Sequence, residues 1–365
     1  MKASSRFDHI TPYEFTESSM DLAIRLGLRP NQIVKLDLNE NLFGASPRAL
    51  QALANLNNSH YYSDPNCTNL RTALSDYTGA SADCFIIGNG ADELIDLVTH
   101  VMLDPNDKVI ICPPAFSMYE VCTTLHQGCV IEIPRLPDFQ LDLSAITKAV
   151  ETEHPKVIFI TSPNNPDGTL INPKDIESLL KLPILVVLDE AYIEFSERGG
   201  LFGRLNSHIN QVAERENLVV LRTFSKWAGL AGLRIGYGAF PKWLAPVIWK
   251  VKLPYNINAA AEAAALASLQ DLDVLAERIK IIQDERKRMV DALSQMAYIS
   301  PYPSQANFLL CRINKRSAAD LYQKLANRGI LTRYFGTPPL ENCLRISIGR
   351  PQDNDRLIEA LEKEA

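Results

Sequence analysis

The apolar positions of this chain change rhythm along its length, and the rhythm predicts an architecture. Short apolar runs such as Ile184-Leu185-Val186-Val187-Leu188 and Leu218-Val219-Val220-Leu221 alternate with longer stretches in which apolar residues recur at helical spacing. A short run without polar alternation reads as a strand buried on both faces, and the stretch between two such runs as a helix that covers them. Strands are predicted at 84–87, 108–112, 129–133, 157–161, 184–188 and 218–221, with helices at 68–78, 94–102, 116–125, 143–151 and 173–180. This succession argues for an α/β fold, a mostly parallel sheet flanked by helices on both faces.

The two ends of the chain read differently. An amphipathic helix at 17–28, capped by Thr16 or Ser18, precedes a strand at 33–38 and a helix at 47–56 that starts on Pro47. Past Gly236 helices dominate, at 242–251, 259–270 and 273–295. A strand at 307–313, a helix at 317–328, strands at 330–333 and 343–347 and a last helix at 353–363 then predict a smaller α+β domain. The expected division is an N-terminal segment, 1–45, that joins the small domain; a large domain, 46–275; and the small domain, 276–365. A length of 365 residues suits about two domains.

Composition narrows the functional class. The chain is 46% hydrophobic and 22% charged, as in ordinary globular proteins, and its net charge of −6 argues against non-specific nucleic-acid binding. The first residues hold no apolar signal core, and no apolar run reaches the length of a membrane span. Seven scattered cysteines without a C-x-x-C pair read as reduced thiols in the cytoplasm, several of them in strand cores. The six dispersed histidines point to no metal site.

In parallel sheets ligands collect beyond the carboxyl ends of the strands, and polar residues gather there. Asn165 lies in Ser162-Pro163-Asn164-Asn165-Pro166-Asp167-Gly168, Asp189 ends an apolar run with Tyr192 three residues on, and Lys226 follows the next strand. A carboxylate at a buried strand end is costly unless a cation meets it. A lysine on a glycine-rich turn, desolvated and near Arg234, would have a lowered pKa and act as a nucleophile toward carbonyl groups. Thr223, Ser225 and Arg234 supply hydroxyls and a guanidinium of the kind that hold phosphate. Gly88-Asn89-Gly90-Ala91-Asp92-Glu93, between a strand and a helix, has the shape of a phosphate-binding turn and equally of a plain connection. Taken singly, Lys226 is also a surface lysine, Asp189 a strand-end cap and Tyr192 a half-buried aromatic. Together they match the ring nitrogen, phenolic oxygen, aldehyde and phosphate of pyridoxal 5′-phosphate.

The segments SPNNPDG, LDEAYIEF and RTFSKWAGLAGLRIGY, in that order, resemble the class II aminotransferases of pyridoxal-phosphate fold type I, and within them the histidinol-phosphate aminotransferase family. LNENLFGASP, YYSDPN, GNGADELI, PPAFSMYE and LRISIG fit the same family, so the resemblance covers nearly the whole chain. It implies that Lys226 binds the cofactor aldehyde and later serves as general base. Asp189 would pair with the pyridinium N–H, while Asn165 and Tyr192 would bond the phenolic oxygen. Phe116 would stack on the ring, where many relatives carry tyrosine. Gly90, Ala91 and Asp92, with Thr223, Ser225 and Arg234, would hold the phosphate, and Tyr62 would reach it from the other subunit of a homodimer. Trp227-Ala228 departs from relatives, which often have a small residue and then an aromatic.

For the substrate, the resemblance implies that Arg345 grips the anion, that Arg333 and Tyr13 hold a phosphate, and that Asn39 lies close by. A strand-end arginine such as Arg333 also reads as a plain exposed charge. The implied activity is amino transfer between L-histidinol phosphate and 2-oxoglutarate or glutamate by a ping-pong Schiff-base mechanism, in histidine biosynthesis. An aromatic-amino-acid aminotransferase and a threonine-phosphate decarboxylase share the fold and remain alternatives. A non-enzymatic regulator that binds the cofactor is disfavoured, since Lys226, Asp189 and Arg345 are all present.

Overall fold

The computed structural model describes Phe7, residues 17–197 and residues 200–364. Tyr13 and Thr16 lie outside the described residues. In chain order the strands are β1 (Val34–Lys35), β2 (Phe85–Gly88), β3 (Lys108–Ile111), β4 (Cys129–Glu132), β5 (Val157–Thr161), β6 (Leu185–Asp189), β7 (Leu218–Thr223), β8 (Gly236–Ala239), β9 (Ile299–Pro301), β10 (Phe308–Ile313), β11 (Ile330–Leu331), β12 (Arg333–Tyr334) and β13 (Cys343–Ser347).

Seven strands make one sheet in the order β2-β8-β7-β6-β5-β3-β4. From β7 to β4 every pairing is parallel, and β8 alone runs antiparallel to its neighbours. The alternation inside each apolar run sorts its residues between two cores. Val157, Phe159, Leu185 and Val187 pack with Leu94, Ile95 and Val98 of the helix Ala91–Met102. Ile158, Ile160, Val186 and Leu188 face the opposite layer, with Ile146 and Val150 of Leu143–Glu153 and Ile176 and Leu179 of Pro173–Leu179. Both faces are therefore dry, and polar side chains emerge at the strand ends.

β8 and β9 were not expected. Gly236-Tyr237-Gly238-Ala239 is no apolar run, and its glycines serve close approach instead. A Cβ on Gly236 would lie 2.6 Å from the Ala91 nitrogen, so the bare backbone lets the turn after β2 settle on the sheet. The strand expected at 330–333 is in fact two. Thr332 separates β11, which pairs in parallel with β1, from β12, which joins an antiparallel sheet in the order β12-β13-β10-β9. The N-terminal helix is Ser19–Leu26, shorter than expected, because Gly27 adopts a left-handed conformation and its N–H closes the last turn. The Ser18 side chain accepts from the Asp21 N–H at its start. The long helix within which the 275/276 boundary was placed runs from Leu272 to Ser294. All seven cysteines are free, and Cys129 alone is exposed.

Trp227 has a simple packing role. Its ring is fully buried, stacked on Tyr77 at 5.5 Å and edge-on to Phe202 at 5.5 Å, beneath the turn that carries Lys226. Truncation, Trp227→Ala, is expected to cost about 3–5 kcal/mol of stability through the cavity it leaves. Urea denaturation of the cofactor-free protein measures this, and a loss below about 1 kcal/mol would contradict the packing described.

Candidate active site

Three parallel strands end side by side. Thr161 of β5 is in register with Asp189 of β6, and Asp189 with Leu221 of β7. Beyond these ends lies a cavity of about 170 Å³ lined by Ala91, Asp92, Asp189, Thr223, Ser225 and Arg234, among others. A wider cavity of about 490 Å³ is lined by Asn39, Phe116, Arg333 and Arg345. Phe116, Asn165, Tyr192 and Lys226 line both, so the two cavities meet at the lysine.

Asp189 sits at the floor of the smaller cavity. Its Oδ2 accepts from the Tyr119 hydroxyl at 2.7 Å and its Oδ1 from the Ala191 N–H at 3.0 Å. The Tyr119 hydroxyl also bonds Thr161 Oγ1 at 2.7 Å. Burial raises the Asp189 carboxyl to about 6, and the bonds from Tyr119 and Ala191 oppose that rise. Among the described residues no cation pairs with it. The sequence pattern missed Tyr119: its position at helical spacing in PPAFSMYE reads as core, and only the tertiary fold lays its ring on Phe159 with the hydroxyl against Asp189.

Lys226 is half-buried, and its Nζ donates to the Leu38 carbonyl at 2.9 Å. Burial first and the charge of Arg345 second pull its pKa from 10.5 to about 8, against the opposing pull of Glu40 and Asp92. The ammonium stands 5.9 Å from the centre of the Tyr192 ring. Tyr192 in turn accepts from Asn39 Nδ2 at 3.2 Å.

The far end of the smaller cavity is built for an anion. The helix Ala91–Met102 begins there, and its first N–H groups and dipole favour negative charge. Gly90 caps it at φ 80°, and a Cβ at that position would lie 2.6 Å from Arg234 Nη2. Gly90 lines neither cavity but keeps this approach open. Arg234 pairs with Asp92 at 2.5 Å, and Thr223 Oγ1 donates to Ser225 Oγ at 2.9 Å.

The wider cavity brings in the antiparallel sheet. Arg333 of β12 and Arg345 of β13 are direct cross-strand partners. Arg345 donates to Asn165 Oδ1 at 2.6 Å and to the Asp37 carbonyl at 2.6 Å. Tyr62 stands apart from both cavities of its own chain, 82% exposed and stacked on Tyr255 at 4.5 Å.

This geometry coincides with a family match. The profile of the aminotransferase class I and II family covers residues 31–361. The chain belongs to that family. Within the class I and II aminotransferases it is 46% identical to the histidinol-phosphate aminotransferase of Roseiflexus castenholzii, over 98% of this chain and 96% of that relative. It is 43% identical to the chloroplastic histidinol-phosphate aminotransferase of Nicotiana tabacum, over 98% of this chain and 84% of the relative. A solved histidinol-phosphate aminotransferase from Sinorhizobium meliloti, in complex with pyridoxal-5′-phosphate, is similar in fold with a TM-score of 0.88 at 26% identity, covering 100% of this chain and 98% of that one.

The depressed Lys226 pKa has a consequence for stability. Between about 8 and 10.5 the folded chain holds fewer protons on this amine than the unfolded chain, so stability rises with pH across that window. Lys226→Met is therefore expected to stabilise the cofactor-free protein below pH 8 and to lose that advantage as pH climbs toward 10.5. Denaturation curves near neutral pH and near the upper limit of the window measure it; an equal gain at both would show that the amine is not desolvated.

Proposed function

We propose that this chain is a pyridoxal 5′-phosphate-dependent aminotransferase that moves an amino group between L-histidinol phosphate and 2-oxoglutarate or glutamate, in histidine biosynthesis. The observation that carries the substrate reading is the pairing of Arg333 with Arg345 beside Lys226. Like charges directly opposite on one sheet face destabilise it by about 0.2–1 kcal/mol, so this arrangement favours a ligand with more than one negative charge. The relatives named for histidinol phosphate, at 43% and 46% identity, support the same reading.

The smaller cavity fits the cofactor. A buried carboxylate without a cation, Asp189, suits a protonated ring nitrogen, and the helix start beside Gly90 with Arg234, Thr223 and Ser225 suits a phosphate. Bound there, pyridoxal 5′-phosphate supplies an aldehyde that condenses with amines and a protonated ring that accepts electron density from the substrate Cα. Lys226 Nζ, with a pKa near 8, offers an unprotonated amine to that aldehyde at modest cost. When not joined to the cofactor, the same nitrogen would be placed to take the proton from the substrate Cα and hand it on, an effect worth about 10²–10⁴-fold. Asp189 would meet the ring nitrogen with its carboxylate and help to keep that nitrogen protonated. Asn39 orients the Tyr192 hydroxyl, and Tyr192 with Asn165 would donate to the phenolic oxygen. Phe116 borders both cavities and would cover the ring face.

Arg345 would hold the substrate anion nearer the lysine and Arg333 the phosphate further out. Tyr62, exposed on its own chain, suits a place at the phosphate of a second copy, so the working form in this reading is a homodimer with shared sites. The seven free cysteines suit a reducing compartment such as the cytoplasm.

A panel of amino donors with 2-oxoglutarate tests the assignment. Histidinol phosphate is expected to yield glutamate with a higher kcat/KM than phenylalanine or tyrosine. Carbon dioxide released from L-threonine phosphate, with no glutamate from histidinol phosphate, would overturn it. Arg333→Ala should raise KM for histidinol phosphate by about 10–100-fold, from the loss of charge-assisted hydrogen bonds, and leave KM for glutamate much less changed. Lys226→Ala should still bind the cofactor, yet borohydride should trap no adduct on the chain and turnover should fall by at least about 10²-fold. Near-normal turnover in that variant refutes the base assignment.

A further inference from the structure

Behind the cofactor cavity lies a buried charged cluster that the reaction above does not use. Arg222 is 2% exposed, and Glu190 and Glu194 are fully buried. Arg222 Nε donates to Glu190 Oε2 at 2.9 Å. Ser207 Oγ donates to the same oxygen at 2.6 Å, and the His208 N–H donates to Glu190 Oε1 at 2.8 Å. Both carboxylate oxygens of Glu190 thus accept hydrogen bonds. Glu194 differs. Its Oε1 lies 3.6 Å from Arg222 Nη1, and among the described residues neither of its oxygens accepts a hydrogen bond from another residue. Burial pushes its acid up to about 8, against the pull of Arg222. Tyr77 and Tyr237 complete the cluster; Tyr237 is the cross-strand partner of Arg222, and Trp227 stacks on Tyr77.

The place of the ion pair matters. The last register pair between β6 and β7 is Asp189 with Leu221, closed by the Glu190 N–H on the Leu221 carbonyl at 2.8 Å. Glu190 follows Asp189, and Arg222 precedes Thr223. Their side chains join the two strands one residue past the β6–β7 ladder, where β6 has ended and β7 still pairs with β8. Asp189 rides on one side of that clamp and the turn from Thr223 to Lys226 on the other.

We infer that Glu190 and Arg222 are positioning residues whose buried ion pair sets the separation between Asp189 and the Thr223-to-Lys226 turn, and so the fit of the cofactor between its ring-nitrogen and aldehyde ends. Glu194 stands beside them, its acid pushed up to about 8 and its Oε1 3.6 Å from Arg222 Nη1. Removing one partner of a buried pair strands a charge and threatens the fold, whereas removing both charges is often tolerated. Position and charge balance are therefore separable. The inference rests on the reading that the cavity holds pyridoxal 5′-phosphate, and the wild-type chain is the control for that reading.

The experiment compares the wild type with Glu194→Gln, Arg222→Lys and the double variant Glu190→Gln with Arg222→Met. It reads cofactor affinity, the pH midpoint of the visible band of Lys226-bound cofactor, and the thermal midpoint. Glu194→Gln is expected to keep affinity within about twofold and leave the band midpoint in place, since one neutral group replaces another. Between pH 4.5 and about 8 the wild type should lose stability relative to Glu194→Gln, because the folded chain holds the extra proton there. The groups that face this proton are Arg222, Glu190, Tyr77 and Tyr237. The double variant should regain a near-wild-type thermal midpoint yet bind cofactor roughly 10–100-fold more weakly, with a shifted band midpoint. Arg222→Lys keeps the charge and moves the donor atom, so it reads position even where the double variant is unstable; it too should weaken binding and shift the band. Wild-type affinity and an unmoved band in Arg222→Lys or in a folded double variant would reduce the pair to charge balance and overturn the inference. A wild-type chain that neither binds the cofactor nor shows the band removes the reading of the cavity itself, and the inference with it.

Discussion

The shared register of β5, β6 and β7, at Thr161, Asp189 and Leu221, is the constraint on which the site depends. Parallel strands lie about 4.8 Å apart, and helices on both faces force their interiors to be apolar. Polar groups must then emerge at one edge, and Thr161, Asp189 and the Thr223-to-Lys226 turn emerge there together. No loop flexibility is needed to assemble them. Tyr119 adds the hydroxyl that makes a buried Asp189 tolerable, and it comes from the helix Met118–Leu125 that covers the same edge.

Charge is arranged along the cavities in order. A carboxylate with no cation among the described residues lies at the inner floor, a lysine of lowered pKa at the junction, and two arginines on the outer wall. The same Arg345 that lines the outer wall depresses Lys226, so anion binding and amine reactivity share one field. A ligand anion that partly neutralises Arg345 would let the lysine regain basicity, which suits a group that must first be a free amine and then accept a proton.

The outer wall comes from distant parts of the chain. Asn39 donates its N–H to Ser347 Oγ at 2.8 Å and accepts from Asn307 Nδ2 at 3.0 Å through its carbonyl. Leu38 offers its carbonyl to Lys226. The segment after β1 is therefore held between the antiparallel sheet and the lysine turn, and a shift of that sheet would be felt at Lys226 Nζ.

Much of this could be read from residue order. Apolar runs bounded by glycine and polar turns placed the parallel strands, since burial on both faces leaves no other pattern. The spacing of Asn165, Asp189, Tyr192 and Lys226 at successive strand ends brought them to one cavity for the same reason. Long-range pairing lay outside that reach. β8 contains two glycines and shows no run, so it exists because Arg222, Tyr237 and the turn at Gly90 fit around it. The break at Thr332, the cross-strand meeting of Arg333 with Arg345, the Tyr119 bond to Asp189 and the Glu190–Arg222 clamp are likewise contacts between segments far apart in the chain. Periodicity reports which face of an element is buried, because that is a local property of its own side chains. Which side chain meets which across the buried face is decided by packing, and only the tertiary structure holds that information.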